Sequence, residues 1–210
     1  MSPEARRGRS FALLASGAGF SCAVLQALLR RNHAPELLLL PEFAPASKAE
    51  PDSIEIVAPE PARRLLRIAG EIETGYAPRT HQQQTADLLS ARSIEFILVA
   101  CWPYLIGETL AGSVAGAALN LHPSLLPRYR GPDPLRQQQA AGDERYGVTL
   151  HLIDRSFDHG DIVAQAELST PGKGEDSMDT EWRCAELGAL LFVDALRSWP
   201  DWKTVAQASL

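Results

Sequence analysis

The sequence predicts an α/β fold, a Rossmann-like, mostly parallel sheet with helices on both faces. Three observations carry that prediction. Residues 10–15, 16–19 and 23–29 read in turn as a strand, a glycine turn and a helix with the apolar density needed to pack on a sheet. Residues 94–100 (IEFILVA) are apolar almost throughout, as a central parallel strand buried on both faces must be. Along the rest of the chain, short apolar runs alternate with segments of helical period, the pattern of repeated βα units.

Size and composition fit one domain. At 210 residues, 45% apolar and 22% charged, the chain can bury a sizeable core. Its net charge of −6 argues against a dedicated nucleic-acid binder, which usually carries a basic face. Cys22, Cys101 and Cys184 lie far apart with no CxxC pair, which favours a reducing compartment and ordinary thiols, with no metal expected. Arg6, Arg7 and Arg9 before Phe11–Ala15 superficially resemble a signal peptide. However, the apolar run is short, and Gly17 and Gly19 interrupt it. No run approaches the ~20 apolar residues of a membrane span, so a soluble cytoplasmic protein is expected. The expected layout is a mobile basic leader over 1–9, one domain over 10–199 and a short tail over 200–210.

Each element follows from its own pattern. The opening turn, Ser16-Gly17-Ala18-Gly19, misses the dinucleotide fingerprint because Cys22 stands where GxGxxG needs its third glycine. A plain turn is the preferred reading, although such a turn can also offer N–H groups to an anionic ligand. Residues 36–40 read as a second buried strand, 41–53 as a polar loop, and 54–57 as a short edge strand. Residues 61–69 form a helix with Arg63, Arg64 and Arg67 facing water, and 71–76 another strand. Residues 80–92 read as a helix capped by Thr80.

Beyond the central strand, Trp102, Pro103, Tyr104, Leu105 and Ile106 could wall a slot for a flat ring, or equally pack as core beneath a loop. Residues 113–119 read as a buried strand, so that Asn120 and His122 sit where it runs out into a loop fixed by Pro127, Gly131, Pro132 and Pro134. A helix over 135–141 and a strand over 148–153 follow. Residues 162–168 alternate like a half-exposed antiparallel strand, and 171–176 read as a flexible turn. The last helix, Ser177–Ser198, is expected to bury Trp182, Leu187, Leu190, Leu191 and Val193.

Asn120, His122 and Asp158 are the candidate catalytic residues. The first two are two apart and can face one volume. Asp158 follows one helix and one strand later, the spacing of a βαβ crossover that would set its loop beside theirs. An amide, an imidazole and a carboxylate beside an apolar slot suit acyl transfer. The amide can donate to an oxyanion, the imidazole can move a proton near neutrality, and the carboxylate can orient it or accept a proton through water. Taken singly, each has an ordinary explanation as a turn former or a bonded core residue. His33, His81 and His151 read as structural. No GxSxG elbow or P-loop is present, and no metal-ligand spacing.

The run Asn120-Leu121-His122-Pro123-Ser124-Leu125-Leu126-Pro127-Arg128-Tyr129-Arg130-Gly131 decides between these readings, with Gly147-Val148-Thr149 and Phe157-Asp158-His159-Gly160-Asp161-Ile162 after it. It resembles the 10-formyltetrahydrofolate-dependent formyltransferase family, most densely over 94–168. The resemblance implies a formyltransferase-type catalytic domain that passes a formyl group from 10-formyltetrahydrofolate to a primary amine. It implies catalytic roles for Asn120, His122 and Asp158, with the oxyanion held by Asn120 and protonated His122. It implies a folate pocket walled by Trp102, Pro103, Tyr104, Leu105 and Ile106, by Asp154, Arg155, Ser156 and Phe157, and by Ser124, Leu125, Leu126 and Pro127. Ser16, Gly17, Ala18 and Gly19 would then face the acceptor.

The acceptor is less sharply marked. Methionyl-tRNA formyltransferases resemble this sequence around residues 125–131 but add a C-terminal RNA-binding domain, so tRNA is not expected. The phosphate-binding turn of glycinamide ribonucleotide transformylase, G-N-G-S-N, is reduced here to Gly17-Ala18-Gly19-Phe20. Formyltetrahydrofolate hydrolases pair the same three residues with water, and usually carry an extra N-terminal domain. A small amine such as an amino acid or amino sugar is the preferred acceptor; a non-catalytic folate-binding relative is the competing class.

Overall fold

The computed structural model describes residues 9–42, 60–168 and 177–207. Its centre is a seven-stranded sheet of order β3-β2-β1-β4-β5-β6-β7. The strands are β1 (Phe11–Ala15), β2 (Leu37–Pro41), β3 (Glu73–Ala77), β4 (Phe96–Ala100), β5 (Ala118–His122), β6 (Gly147–Leu152) and β7 (Ile162–Glu167). Strands β1 to β5 pair in parallel, while β6 is antiparallel to both its neighbours.

Period-2 alternation along the inner strands fills both faces. Phe11, Leu13, Phe96 and Leu98 face one core, shared with α1 (Gly19–Arg30), α2 (Glu60–Ala69) and α6 (Ser177–Ser198). Ala12, Leu14, Ile97 and Val99 face the other, shared with α3 (Gln82–Ala91) and α4 (Glu108–Ala111). Leu13, Leu14 and Leu98 are fully buried, each contributing about 1.5–3 kcal/mol relative to exposure. A last short helix, α5 (Pro134–Ala140), links β5 to β6.

The expected α/β architecture is present, with several local differences. Strand β5 begins at Ala118 rather than at 113, because the chain first makes α4 and a turn. Asn120 and His122 therefore lie inside the strand, held by its ladder, and not beyond its end. Thr80 does not cap α3; its hydroxyl bonds the neighbouring His81 ring and the helix starts at Gln82. Leu190 is 41% exposed, because it falls on the outer side of α6 while Val193 is buried. Arg9, expected to move with the leader, is held by Glu95, by the Leu196 and Trp199 carbonyls and by stacking on Phe96. The edge strand at 54–57 and the turn at 171–176 lie outside the described residues.

The largest difference lies between β5 and β6. The spacing reads as a parallel crossover, which must carry the chain back along the sheet. The connection instead begins and ends at the same end of it: His122 pairs with Thr149 and Asn120 with His151, antiparallel. The far end of β6 thus lies beside the start of β5, and the 153–161 loop must double back to bring Asp158 to Asn120.

Candidate active site

Strand β5 sends Asn120 and His122 to one face, and the antiparallel register sets His151 directly opposite Asn120 on that same face. The returning loop places the Asp158 carboxylate among them. Its Oδ1 accepts from Asn120 Nδ2 at 3.1 Å and lies 3.5 Å from His151 Nε2. Its Oδ2 accepts the Gly131 backbone N–H at 2.9 Å and lies 3.5 Å from His122 Nδ1. The Asp158 carboxylate joins the other two residues that the sequence selects, Asn120 and His122, and one, His151, that it does not. Asp158 sits at φ 59°, a left-handed conformation that Asp tolerates better than most side chains.

Carbonyl partners fix the protons on both rings. His122 Nε2 lies 2.8 Å from the Tyr129 carbonyl, which can only accept, so Nε2 carries the hydrogen. Nδ1 is then the basic nitrogen, facing Asp158. His151 Nδ1 donates to the Leu152 carbonyl at 2.8 Å, leaving Nε2 to accept Asn120 Nδ2 at 3.0 Å. Both amide hydrogens of Asn120 are therefore committed, one to His151 and one to Asp158.

Burial pushes the His122 pKa below the ordinary histidine value, although Asp158 and the Tyr129 carbonyl favour the charged form. Burial alone would raise Asp158. The two imidazoles that face the carboxylate, His151 and His122, and the Gly131 N–H outweigh it and hold the carboxyl below its usual range.

These residues border a cavity of about 750 Å³. Trp102, Pro103, Tyr104, Leu105, Ile106, Asp154, Ser156 and Phe157 line it together with Asn120, His122 and Asp158. Trp102 and Tyr104 meet edge to face at 6.0 Å, while Leu105 and Phe157 are 43% and 53% exposed at its rim. Exposed apolar side chains around an aromatic-walled cavity fit a flat ring system. Other expected wall residues lie elsewhere. Arg155 points out to an ion pair with Glu108. Ser124 to Pro127 do not line the cavity; Ser124 is buried and bonds the Arg128 carbonyl, and the Leu126 N–H bonds Thr149. Of the opening turn only Ala18 lines the cavity.

Three contributors escape the sequence reading. His151 reads as structural because strand alternation alone does not say what its face meets. Gln207 lies in the tail, whose Val205 bridges Ile162; its side chain donates to the Asp158 and Gly160 carbonyls at 3.1 and 2.8 Å and accepts from Arg130. The tail thus braces the loop that carries Asp158. Glu181, from α6, also lines the cavity.

A doubly faced α/β sheet bearing an amide, two imidazoles and a carboxylate beside an aromatic slot defines a site equipped for acyl-group chemistry. Comparison with known proteins narrows the class. The formyl transferase family description matches residues 26–196, and the chain belongs to that family. It is 30% identical over 178 residues to the methionyl-tRNA formyltransferase of Anaeromyxobacter dehalogenans, covering 85% of this chain and 55% of that protein. It is 32% identical over 161 residues to the phosphoribosylglycinamide formyltransferase of Bacillus subtilis, covering 76% and 79%. The chain thus spans about half the length of the methionyl-tRNA formyltransferases it matches. Its fold is shared with glycinamide ribonucleotide transformylase 1 from Symbiobacterium toebii, with a TM-score of 0.67 at 20% identity over 92% of this chain and 88% of that one.

Proposed function

We propose that this chain transfers a formyl group from 10-formyltetrahydrofolate to the primary amine of a small molecule. The observation that carries the reading is the Asp158 carboxylate joined to Asn120 and His122 at the edge of an aromatic-walled cavity. Trp102, Tyr104, Ile106 and Phe157 would hold the donor's pterin ring.

The amine nitrogen attacks the formyl carbon, whose carbonyl oxygen becomes an oxyanion. Collapse expels N10 of the folate; the amine loses one proton and N10 gains one, so the balance needs no further reactant. His122 Nδ1, the basic nitrogen of a buried ring, is the group available to take that proton. Asp158 stays ionised and stabilises the resulting imidazolium. The oxyanion needs a donor, and one Asn120 N–H must leave its protein partner to serve it. The bond to the His151 ring costs less to give up than the charge-assisted bond to the Asp158 carboxylate.

The test is tetrahydrofolate release from the donor across a panel of small amines, charged methionyl-tRNA and water alone. Release that requires a small amine supports the proposal. Release with water alone makes the protein a hydrolase, release confined to the tRNA makes it a methionyl-tRNA enzyme, and folate binding without release makes it a non-catalytic relative.

A further inference from the structure

We infer that Glu181 determines which acceptors the cavity admits, excluding a phosphate at this end and favouring an uncharged or cationic hydrogen-bond-donating group. The inference rests on the formyl-transfer reading of the same cavity.

The first turn of a helix attracts an anion, because its N–H groups lack partners and its dipole is positive there. At α1 the anion is the protein's own. The Glu181 carboxylate, carried by α6, accepts the Phe20 N–H. It lies so close to Gly19 that a Cβ there would come within 2.5 Å of one carboxylate oxygen and 2.9 Å of the other. Only glycine admits the carboxylate at this distance. The neighbouring N–H groups are committed as well: Gly17 donates to Ser21 Oγ at 3.1 Å and Ala18 to Ser16 Oγ at 3.4 Å.

An incoming phosphate would therefore meet a fixed negative charge in place of free amides. Asp133, also on the cavity wall, adds a second negative charge, while Arg136 is on the same wall and the Arg64 charge acts on Glu181 from outside it. Burial lifts the Glu181 carboxyl above its ordinary range, with the Phe20 N–H and Arg64 opposing. A carboxylate so placed gains from an ammonium or hydroxyl brought beside it and loses from a second anion.

Inorganic phosphate is the direct probe, titrated calorimetrically against wild type, Glu181→Ala and Glu181→Gln. Glutamine keeps an acceptor oxygen for Phe20 and serves if the alanine variant fails to fold. The expected result is no saturable uptake by wild type and a gain of at least about tenfold in affinity in the variants, as loss of a close like charge gives. A second arm compares amines with and without a phosphate ester as formyl acceptors. Wild type should favour the unphosphorylated member, and Glu181→Gln should narrow that preference at least about tenfold. Wild-type phosphate binding as tight as that of Glu181→Ala, or a preference for the phosphorylated amine, overturns the inference. If no amine is formylated, the transfer reading fails, while the phosphate titration still decides the role of Glu181.

Discussion

At the scale of single residues, Asp158 is the group on which the others converge. Replacing it by Asn keeps the shape but removes the charge that faces two imidazoles and accepts the Gly131 N–H. We expect turnover of Asp158→Asn to fall about 10²–10⁴-fold, measured as formyl transfer at saturating donor and acceptor. His151 is the subtler case. His151→Gln should lower kcat more than it raises donor KM, since His151 bonds Asn120 and faces Asp158, while the aromatic walls of the same cavity come from other residues. Equal losses in kcat and in donor affinity would contradict this. Asn120, His122 and Asp158 were legible because they fall in one long ordered motif. His151 was not, because its role depends on facing Asn120 across an antiparallel pair.

At the scale of elements, the 153–161 loop and its supports decide whether the site assembles. Gly160 passes so close to the end of β6 that a Cβ would lie 1.8 Å from the Leu152 carbonyl oxygen. That same oxygen accepts from His151 Nδ1. Gly160→Ala should therefore displace the loop and His151 together. The expected outcome is a loss of activity that exceeds the loss of stability, checked by comparing formyl transfer with the thermal midpoint. The tail acts from the other side of the loop through Gln207. Gln207→Ala should speed amide hydrogen exchange across 157–161 while leaving β4 unchanged, and uniform protection in both regions would contradict that role. The central strands were plain from sequence, since Leu13, Leu98 and their neighbours are apolar on both faces. The direction of β6 was hidden because a helix-containing connection of this length serves either direction. The tail was hidden because it braces the loop mainly through the Asp158 and Gly160 carbonyls and a backbone bridge to Ile162, which no side-chain pattern reports.

At the scale of the whole molecule, the buried ionisable groups set how stability varies with pH. His122 has a depressed pKa in the fold, so below the unfolded value of about 6.5 the unfolded chain binds a proton that the folded one resists. Its contribution is complete above that value and lost as pH falls toward the folded one. Asp158 is also depressed, so its contribution is complete above about 3.9 and lost at lower pH still. Stability should therefore decline in two acid steps. His122→Gln removes the first and Asp158→Asn the second, read from urea midpoints across the range.

The central claim is that Asn120, His122 and Asp158 act on a formyl group held beside them, and single-turnover transfer by Asp158→Asn tests it most directly. Enzyme in excess over 10-formyltetrahydrofolate, with a saturating amine, isolates the chemical step, and equilibrium titration of the donor measures its binding to the same proteins. Transfer should be slower by at least about a hundredfold with donor affinity preserved. Transfer at the wild-type rate would contradict it.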